Sequence, residues 1–172
     1  MARHRYFEPA ALTDEDLKRS EYYLQDRQRR QLATAHTDIN AFLQSLEMEA
    51  RIEPINSANI ERSTQLVNKS NQFNLTTRRY TLAEIKEKVE SEDWLTLTIS
   101  LRDKMGDNGL ISVLLAEQSD QDLVIDTWVM SCRVLQRGVE ALALEILLKE
   151  ACRRGCARVL GCYIPTAKNH MA

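Results

Sequence analysis

The chain has 172 residues, 44% of them hydrophobic and 28% charged, with a formal net charge of -2. That is enough apolar sequence for one packed core with an appended arm, and the near-neutral balance gives no general attraction for nucleic acid or an anionic membrane. No apolar run approaches the roughly 20 residues that span a bilayer. Met1–Arg5 is basic but leads into Tyr6-Phe7-Glu8-Pro9 rather than an apolar stretch, so no signal peptide is read there and a cytoplasmic protein is expected.

In chain order, Thr13-Asp14-Glu15-Asp16 reads as a helix start, with acids near the positive end of the helix dipole. The run to Arg30 is dominated by charge and carries only a thin apolar stripe of Leu17, Tyr22, Tyr23 and Leu24. A second short helix is predicted from Thr37-Asp38, with Ile39, Phe42, Leu43 and Leu46. Such an arm, residues 1–47, buries little apolar surface by itself and is expected to pack on something else.

From residue 48 the pattern is that of a mixed α/β domain, expected to run to residue 172. Arg51–Ile55 is a strand candidate, and Asn59–Lys69 a helix with Ile60, Leu66 and Val67 inward. Thr81-Leu82-Ala83-Glu84 is a capping box opening a helix with Leu82, Ile85 and Val89. Three strands follow. Leu95–Leu101 alternates cleanly; Gly106-Asp107-Asn108-Gly109 is predicted as a hairpin turn, with Leu110–Ala116 as the next strand; Leu123–Met130 is apolar on both faces, as a central strand should be. Val139, Leu142, Ala143, Ile146, Leu147 and Ala151 mark a long helix that Gly155 is placed to cap. Arg158–Ile164 is the last strand expected, in a locally parallel pair with an earlier one. The predicted order is β-α-α-β-β-β-α-β.

Cys132, Cys152, Cys156 and Cys162 have no histidine cluster beside them, since His4, His36 and His170 are scattered. Reduced thiols and no metal site are the expectation, with Cys152, Cys156 and Cys162 read as packing residues. The stretch Met130-Ser131-Cys132-Arg133-Val134-Leu135-Gln136-Arg137-Gly138-Val139 joins the central strand to the long helix. A helix amino terminus there offers unpaired N–H groups, Arg133 and Arg137 add charge, and Gly138 lets a ligand approach the backbone. The alternative is an ordinary strand-to-helix turn with solvated arginines. Asp126 and Asp103 are candidate bases, although a carboxylate on a strand buried on both faces, as at Asp126, needs a hydrogen-bonding partner wherever it is not catalytic. Phe73 and Trp128 read as core.

The element order, with a glycine-bearing turn opening the long helix, resembles the Gcn5-related N-acetyltransferase (GNAT) superfamily. In that superfamily the turn holds the pyrophosphate of an acyl-CoA and reads Gln/Arg-x-x-Gly-x-Gly/Ala; here the stretch from Leu135 to Glu140 agrees only at Gly138. A closer resemblance is to FkbH-like proteins, in which a HAD domain of subclass IIIC is joined to a GNAT-like domain. It rests on Asn68–Tyr80, on Asp107–Ile111, on Met130–Leu135 with Arg137–Glu140, and on Tyr163–Asn169. The arm from Leu12 to Arg29 is similar to that family's inter-domain segment.

What this resemblance implies is a GNAT-like, mostly antiparallel sheet with flanking helices behind a helical arm. It also implies that the chain is the carboxy-terminal portion of such a protein, without the HAD domain and its Asp-x-Asp motif, and without the helix and strand that follow the position of Asn169. The implied chemistry is transfer of a glyceryl-type acyl thioester to an acyl carrier protein in polyketide-type biosynthesis, with acyl-CoA or a phosphopantetheine thioester as the bound group. On this reading Met130, Arg133, Gln136, Arg137, Gly138 and Val139 hold the thioester arm. Cys132 lies where GNAT-like folds splay two strands and place the thioester, and is the acyl-carrying nucleophile or a packing thiol. Asn71, Asn74, Arg78 and Asn169 are the candidate contacts to the acyl group; the alternative for Asn71, Asn74 and Arg78 is that they cap and brace their loop. The alternative to an acyltransferase is a non-catalytic module that docks the carrier protein or braces the HAD domain, or a gene fragment without activity.

Overall fold

The computed structural model describes the backbone of residues 14–169 and 172, and side chains from residue 21 onward. The expected cap Thr13, the basic Met1–Arg5 with His4, and His170 lie outside the described residues. Two compact units are formed, Met1–Met48 with Asp103–Asp107, and Glu49–Arg102 with Asn108–Ala172.

The first unit holds two helices, α1 (Asp14–Thr34) and α2 (Ile39–Ser45). Asp38 caps α2, its carboxylate accepting from the N–H groups of Asn40 and Ala41. The charge-rich face of α1 has a specific use at Arg29, which is only 3% exposed. Its Nε and Nη2 donate to the two carboxylate oxygens of Asp103 at 2.8 and 3.0 Å, and Nη1 donates to Asp26 at 2.9 Å. Burial opposes the charge on Arg29, but the hydrogen bond and charge of Asp103 outweigh it and raise its pKa further. Asp103 also accepts from the Met105 N–H at 2.9 Å, and the Lys104 N–H reaches the Leu46 carbonyl at 3.0 Å. These contacts form the hairpin turn at Lys104–Met105, so the turn predicted at Gly106–Gly109 is instead the start of a strand. The Asn-Gly step loses to an aspartate that organises the turn with its own side chain. Gly106 has a separate requirement: a Cβ there would stand 2.2 Å from Gln25 Nε2.

The second unit contains β1 (Glu49–Pro54), α3 (Ile60–Lys69), β2 (Phe73–Asn74), α4 (Leu82–Glu90), β3 (Trp94–Asp103), β4 (Gly106–Ser119), β5 (Asp122–Met130), α5 (Val139–Arg153) and β6 (Arg158–Gly161). The six strands form one sheet in the order β1-β3-β4-β5-β2, with β6 also on β5. The β1–β3, β4–β5 and β2–β5 pairs are antiparallel and β5–β6 is parallel. The mixed, mostly antiparallel sheet with flanking helices is the architecture the sequence pattern predicts. Two details differ. The strand β2 is additional, because two residues are too few to leave a periodic signal. The last strand ends at Gly161 rather than Ile164.

Apolar periodicity becomes burial at most of the expected positions, but Tyr23, Leu24, Ile39 and Leu82 stay exposed. Ile55, Leu66, Val67, Ile85, Val113 and Val129 form one cluster between the sheet and the pair α3–α4, and α5 buries Val139, Ala143, Leu147 and Ala151. The Thr81–Glu84 capping box is present in both directions. Gly155 (φ 74) closes α5: its N–H bonds the Cys152 carbonyl at 3.1 Å and that of Cys156 bonds Ala151 at 2.9 Å, the two bonds of a Schellman motif. Cys152 and Cys162 are exposed and Cys156 is half-buried, which corrects their reading as packing residues. Cys152 falls on the solvent side of α5, and Cys162 lies beyond the end of β6. Among the described residues no helix is long and apolar enough to cross a membrane.

Candidate functional site

The site is built where β5 changes neighbours. One edge of β5 pairs with β4 along its whole length. The other edge pairs with β6 from Asp122↔Arg158 to Ile125↔Gly161, and those two strands then part. At that point the β4–β5 register jumps from Leu115↔Thr127 to Ala116↔Ile125, leaving Asp126 without a partner. Asp126 is therefore the extra residue of a β-bulge, a device that bends a strand and turns a side chain out of the ladder.

The carboxylate so displaced is 8% exposed. It accepts from Tyr80 Oη at 2.6 Å, from Thr127 Oγ1 at 2.8 Å and from Arg78 Nη1. Burial, and after it the hydrogen bond and negative charge of Asp126, raise the Tyr80 phenol above its ordinary pKa. The need for a partner at Asp126 is thus met three times over. Asp103, the other candidate base, is held by Arg29 at the hairpin tip.

Beyond Asp126 the gap beside β5 is filled by the chain itself. Phe73 and Asn74 pair with Met130 and Val129, the Leu75 N–H donates to the Trp128 carbonyl at 3.2 Å, and Thr76 Oγ1 donates to the Asp126 carbonyl at 2.9 Å. On its far side Leu75 accepts from the Ile164 N–H at 2.9 Å. Phe73 packs edge-on against Trp128, ring centroids 5.4 Å apart, and both are core residues as predicted.

The four candidate acyl contacts all border this segment. Asn74 is fully buried; its Nδ2 donates to Ser70 O and its Oδ1 accepts from the Thr77 N–H. Asn169, also fully buried, donates to the carbonyls of Asn74 and Ile164 at 2.8 and 2.9 Å and accepts from Thr166. Asn71 is exposed and accepts from Arg79, which also reaches Ser70 O and Val67 O. Arg78 keeps a side chain 55% exposed while it pairs with Asp126. The Asn68–Tyr80 stretch is thereby a strap that fastens to β5 through backbone pairing at Phe73–Leu75, the Thr76 hydroxyl and the Arg78 and Tyr80 side chains on Asp126.

The strand-to-helix turn completes the site. Met130, 1% exposed, ends β5, and Cys132–Val134 makes one 3-10 turn with the Cys132 thiol exposed. Gln136 and Gly138 take positive φ, 63° and 81°, and Val139 starts α5 with 3% exposure. A Cβ at Gly138 would meet nothing within 4 Å, so the glycine is needed for its dihedral angle rather than for space. Arg137 Nη2 donates to the Arg133 carbonyl at 2.6 Å, which folds that guanidinium back on the turn, and Arg133 Nε reaches Ser131 Oγ at 3.4 Å. Glu140 Oε1 accepts from the Gln136 N–H at 2.7 Å. Glu140 thereby supplies an anion to the turn and to the positive end of α5.

No family model matches the sequence, and no curated protein matches it. Solved structures are similar in fold. AAC(6')-Iy in complex with the bisubstrate analog CoA-S-monomethyl-acetylneamine is 14% identical over 69% of this chain and 82% of its own, with a TM-score of 0.54. The aminoglycoside antibiotic 6'-N-acetyltransferase AAC(6')-Ih from Acinetobacter baumannii is 12% identical over 72% of this chain and 84% of its own, with a TM-score of 0.53. The ribosomal-protein-S18-alanine N-acetyltransferase from Escherichia coli is 12% identical, and the chain spans 64% of its length, with a TM-score of 0.49. The fold is that of the GNAT acetyltransferases.

Proposed function

We propose that this chain is the acyl-handling, GNAT-like part of an FkbH-like protein, acting on a glyceryl-type thioester borne by the phosphopantetheine of an acyl carrier protein. The observation that carries the reading is the exposed Cys132 thiol at the mouth of the turn opened by Gly138, with Arg133 and Arg137 around it. In this scheme Cys132 exchanges the acyl group with the carrier. Its thiolate attacks the thioester carbonyl, the carbonyl–sulfur bond to the pantetheine breaks and the released thiolate takes up a proton. The reverse of the same step, with the pantetheine thiolate attacking and Cys132 leaving, loads the carrier. Met130 and Val139 frame the turn, Gln136 and Gly138 shape it for the phosphate with the Gln136 amide held by Glu140, and Arg78 and Asn71 are the exposed groups for the acyl oxygens. Asn74 and Asn169 act indirectly, by holding the strap in place.

Glu140 bears on the donor. With its carboxylate on the Gln136 amide, the turn has fewer N–H groups for the pyrophosphate of free CoA; a carrier-borne arm brings a single phosphodiester instead. Acyl-CoA is accordingly the poorer donor in this proposal.

The second reading is a non-catalytic module that docks the carrier protein or braces a HAD domain. It is favoured by one observation: the strap at Phe73–Thr76 already satisfies the β5 edge that splayed GNAT strands leave open. Incubation with glyceryl carrier protein or with acyl-CoA, followed by intact-mass measurement, separates the two. A mass adduct lost in Cys132→Ser supports acyl handling. Co-elution with the carrier protein without an adduct supports docking, and neither adduct nor complex removes acyl handling and carrier docking alike.

A further inference from the structure

We propose that the groove at the carboxyl end of α5 binds a small amphipathic carboxylate, its head group on Arg154 and its apolar body against Trp94, Leu97 and Ile146. This site lies at the opposite end of α5 from the Gly138 turn, about 20 Å away for a helix of this length, and stands independently of the function proposed above.

The groove has a volume of about 450 Å³ and is walled by β1, β3, the end of α4 and the last two turns of α5. That volume is within the roughly 300–1,000 Å³ of small-molecule sites. Its floor is apolar, with Ile52 at the edge strand remaining 37% exposed.

Charge accounting singles out Arg154. The two acids in the wall already have cations: Glu150 pairs with Arg153 at 2.7 Å and Glu53 with Arg51 at 2.6 Å. Arg154 has only neutral partners among the described residues. Its Nη1 and Nη2 donate to the carbonyls of Glu92 and Trp94 at 3.0 and 3.1 Å, and its Nε is buried without an acceptor. Native structures keep few buried donors unpaired. Arg154 is half-buried and lines the groove, and the carbonyl bonds fix its guanidinium plane while leaving further Nη–H groups for the oxygens of a carboxylate. Arg154 is the uncompensated cation among the lining residues, and Lys88 Nζ stands 3.4 Å from the Trp94 ring centroid beside them, so the groove selects an anion with a hydrocarbon body. A phosphate would find only one guanidinium, and an ammonium would meet like charge.

The test titrates the full 172-residue chain with octanoate, octan-1-ol and octylammonium, followed by ligand-observed NMR and by the fluorescence of Trp94, with Trp94→Phe identifying that signal. Octanoate is expected to bind saturably, and more tightly than either analogue. Arg154→Gln is expected to weaken it on the order of tenfold, the loss of one charge-assisted contact. Because Arg154 also bonds two carbonyls, Ile52→Glu on the exposed edge strand provides a second variant. It places an anion in the groove without touching Arg154, and should weaken octanoate by a similar factor with the circular dichroism unchanged. Absence of octanoate binding, equal binding of octanol, or octanoate affinity unchanged in either folded variant would overturn the proposal.

Discussion

Replacing Asp126 by alanine tests the bulge at the centre of the candidate site. The carboxylate is 8% exposed and receives Tyr80 Oη at 2.6 Å, Thr127 Oγ1 at 2.8 Å and the Arg78 guanidinium. The Arg78 side chain is 55% exposed, so solvent screens that pair and it contributes at most about 1 kcal/mol. Each hydroxyl bond contributes about 1 kcal/mol, and Thr127, fully buried, loses its partner in the variant. The expected loss is about 2–3 kcal/mol, or about 4–12 °C in Tm at roughly 2–4 °C per kcal/mol for this chain length. Tyr80→Phe alone should cost about 1 kcal/mol. Urea unfolding followed by tryptophan fluorescence gives both values, and the double variant should recover about 0.5–1 kcal/mol of coupling. A stability within 0.5 kcal/mol of wild type for Asp126→Ala, or strict additivity of the two substitutions, would refute the reasoning and return Asp126 to the candidates for proton transfer.

Three further outcomes are expected. Arg29→Ala leaves the Asp103 carboxylate buried without its guanidinium partner and should cost about 3–5 kcal/mol, read as lost hydrogen-exchange protection in α1 and at the hairpin tip. Glu140→Ala frees the Gln136 amide and removes an anion from the turn; calorimetry should show tighter binding of phosphopantetheine and CoA than in wild type, and unchanged affinity would count against an anion site there. The Tyr80 phenol is held above its unfolded value near 10. Its contribution is therefore complete below pH 10 and is lost as pH rises through the higher folded value. Alkaline unfolding should begin at lower pH in wild type than in Tyr80→Phe, measured relative to each protein's stability at neutral pH.

Local chemistry made most elements readable from sequence. The Thr81–Glu84 box, the Asp38 cap and the Gly155 stop depend on residues a few positions apart and form as their patterns predict, whereas the alternation in β3 does not become alternate burial, since Thr96 and Thr98 are buried while Leu97 is only half-buried. The failures are also physical. The Asn-Gly step at Asn108-Gly109 is a strong local turn signal, yet Arg29, 74 residues from Asp103, fixes the turn earlier in the chain. The Gly138 turn was legible as a possible anion site because its glycine and arginines are contiguous. That Glu140 occupies one of its amides depends on a side-chain rotamer that the residue order does not encode.

The sequence by itself determined the class of fold, since apolar periodicity and capping act over one or two turns and a sheet with covering helices is how these elements bury their apolar faces. Only the tertiary structure decided what closes the β5 edge and what surrounds Asp126. Those outcomes come from bonds joining Asn74 to Asn169, 95 residues apart, and Tyr80 to Asp126, 46 apart. Pairings at such separations leave no periodic trace along the chain, because they form only after the sheet has brought their strands together.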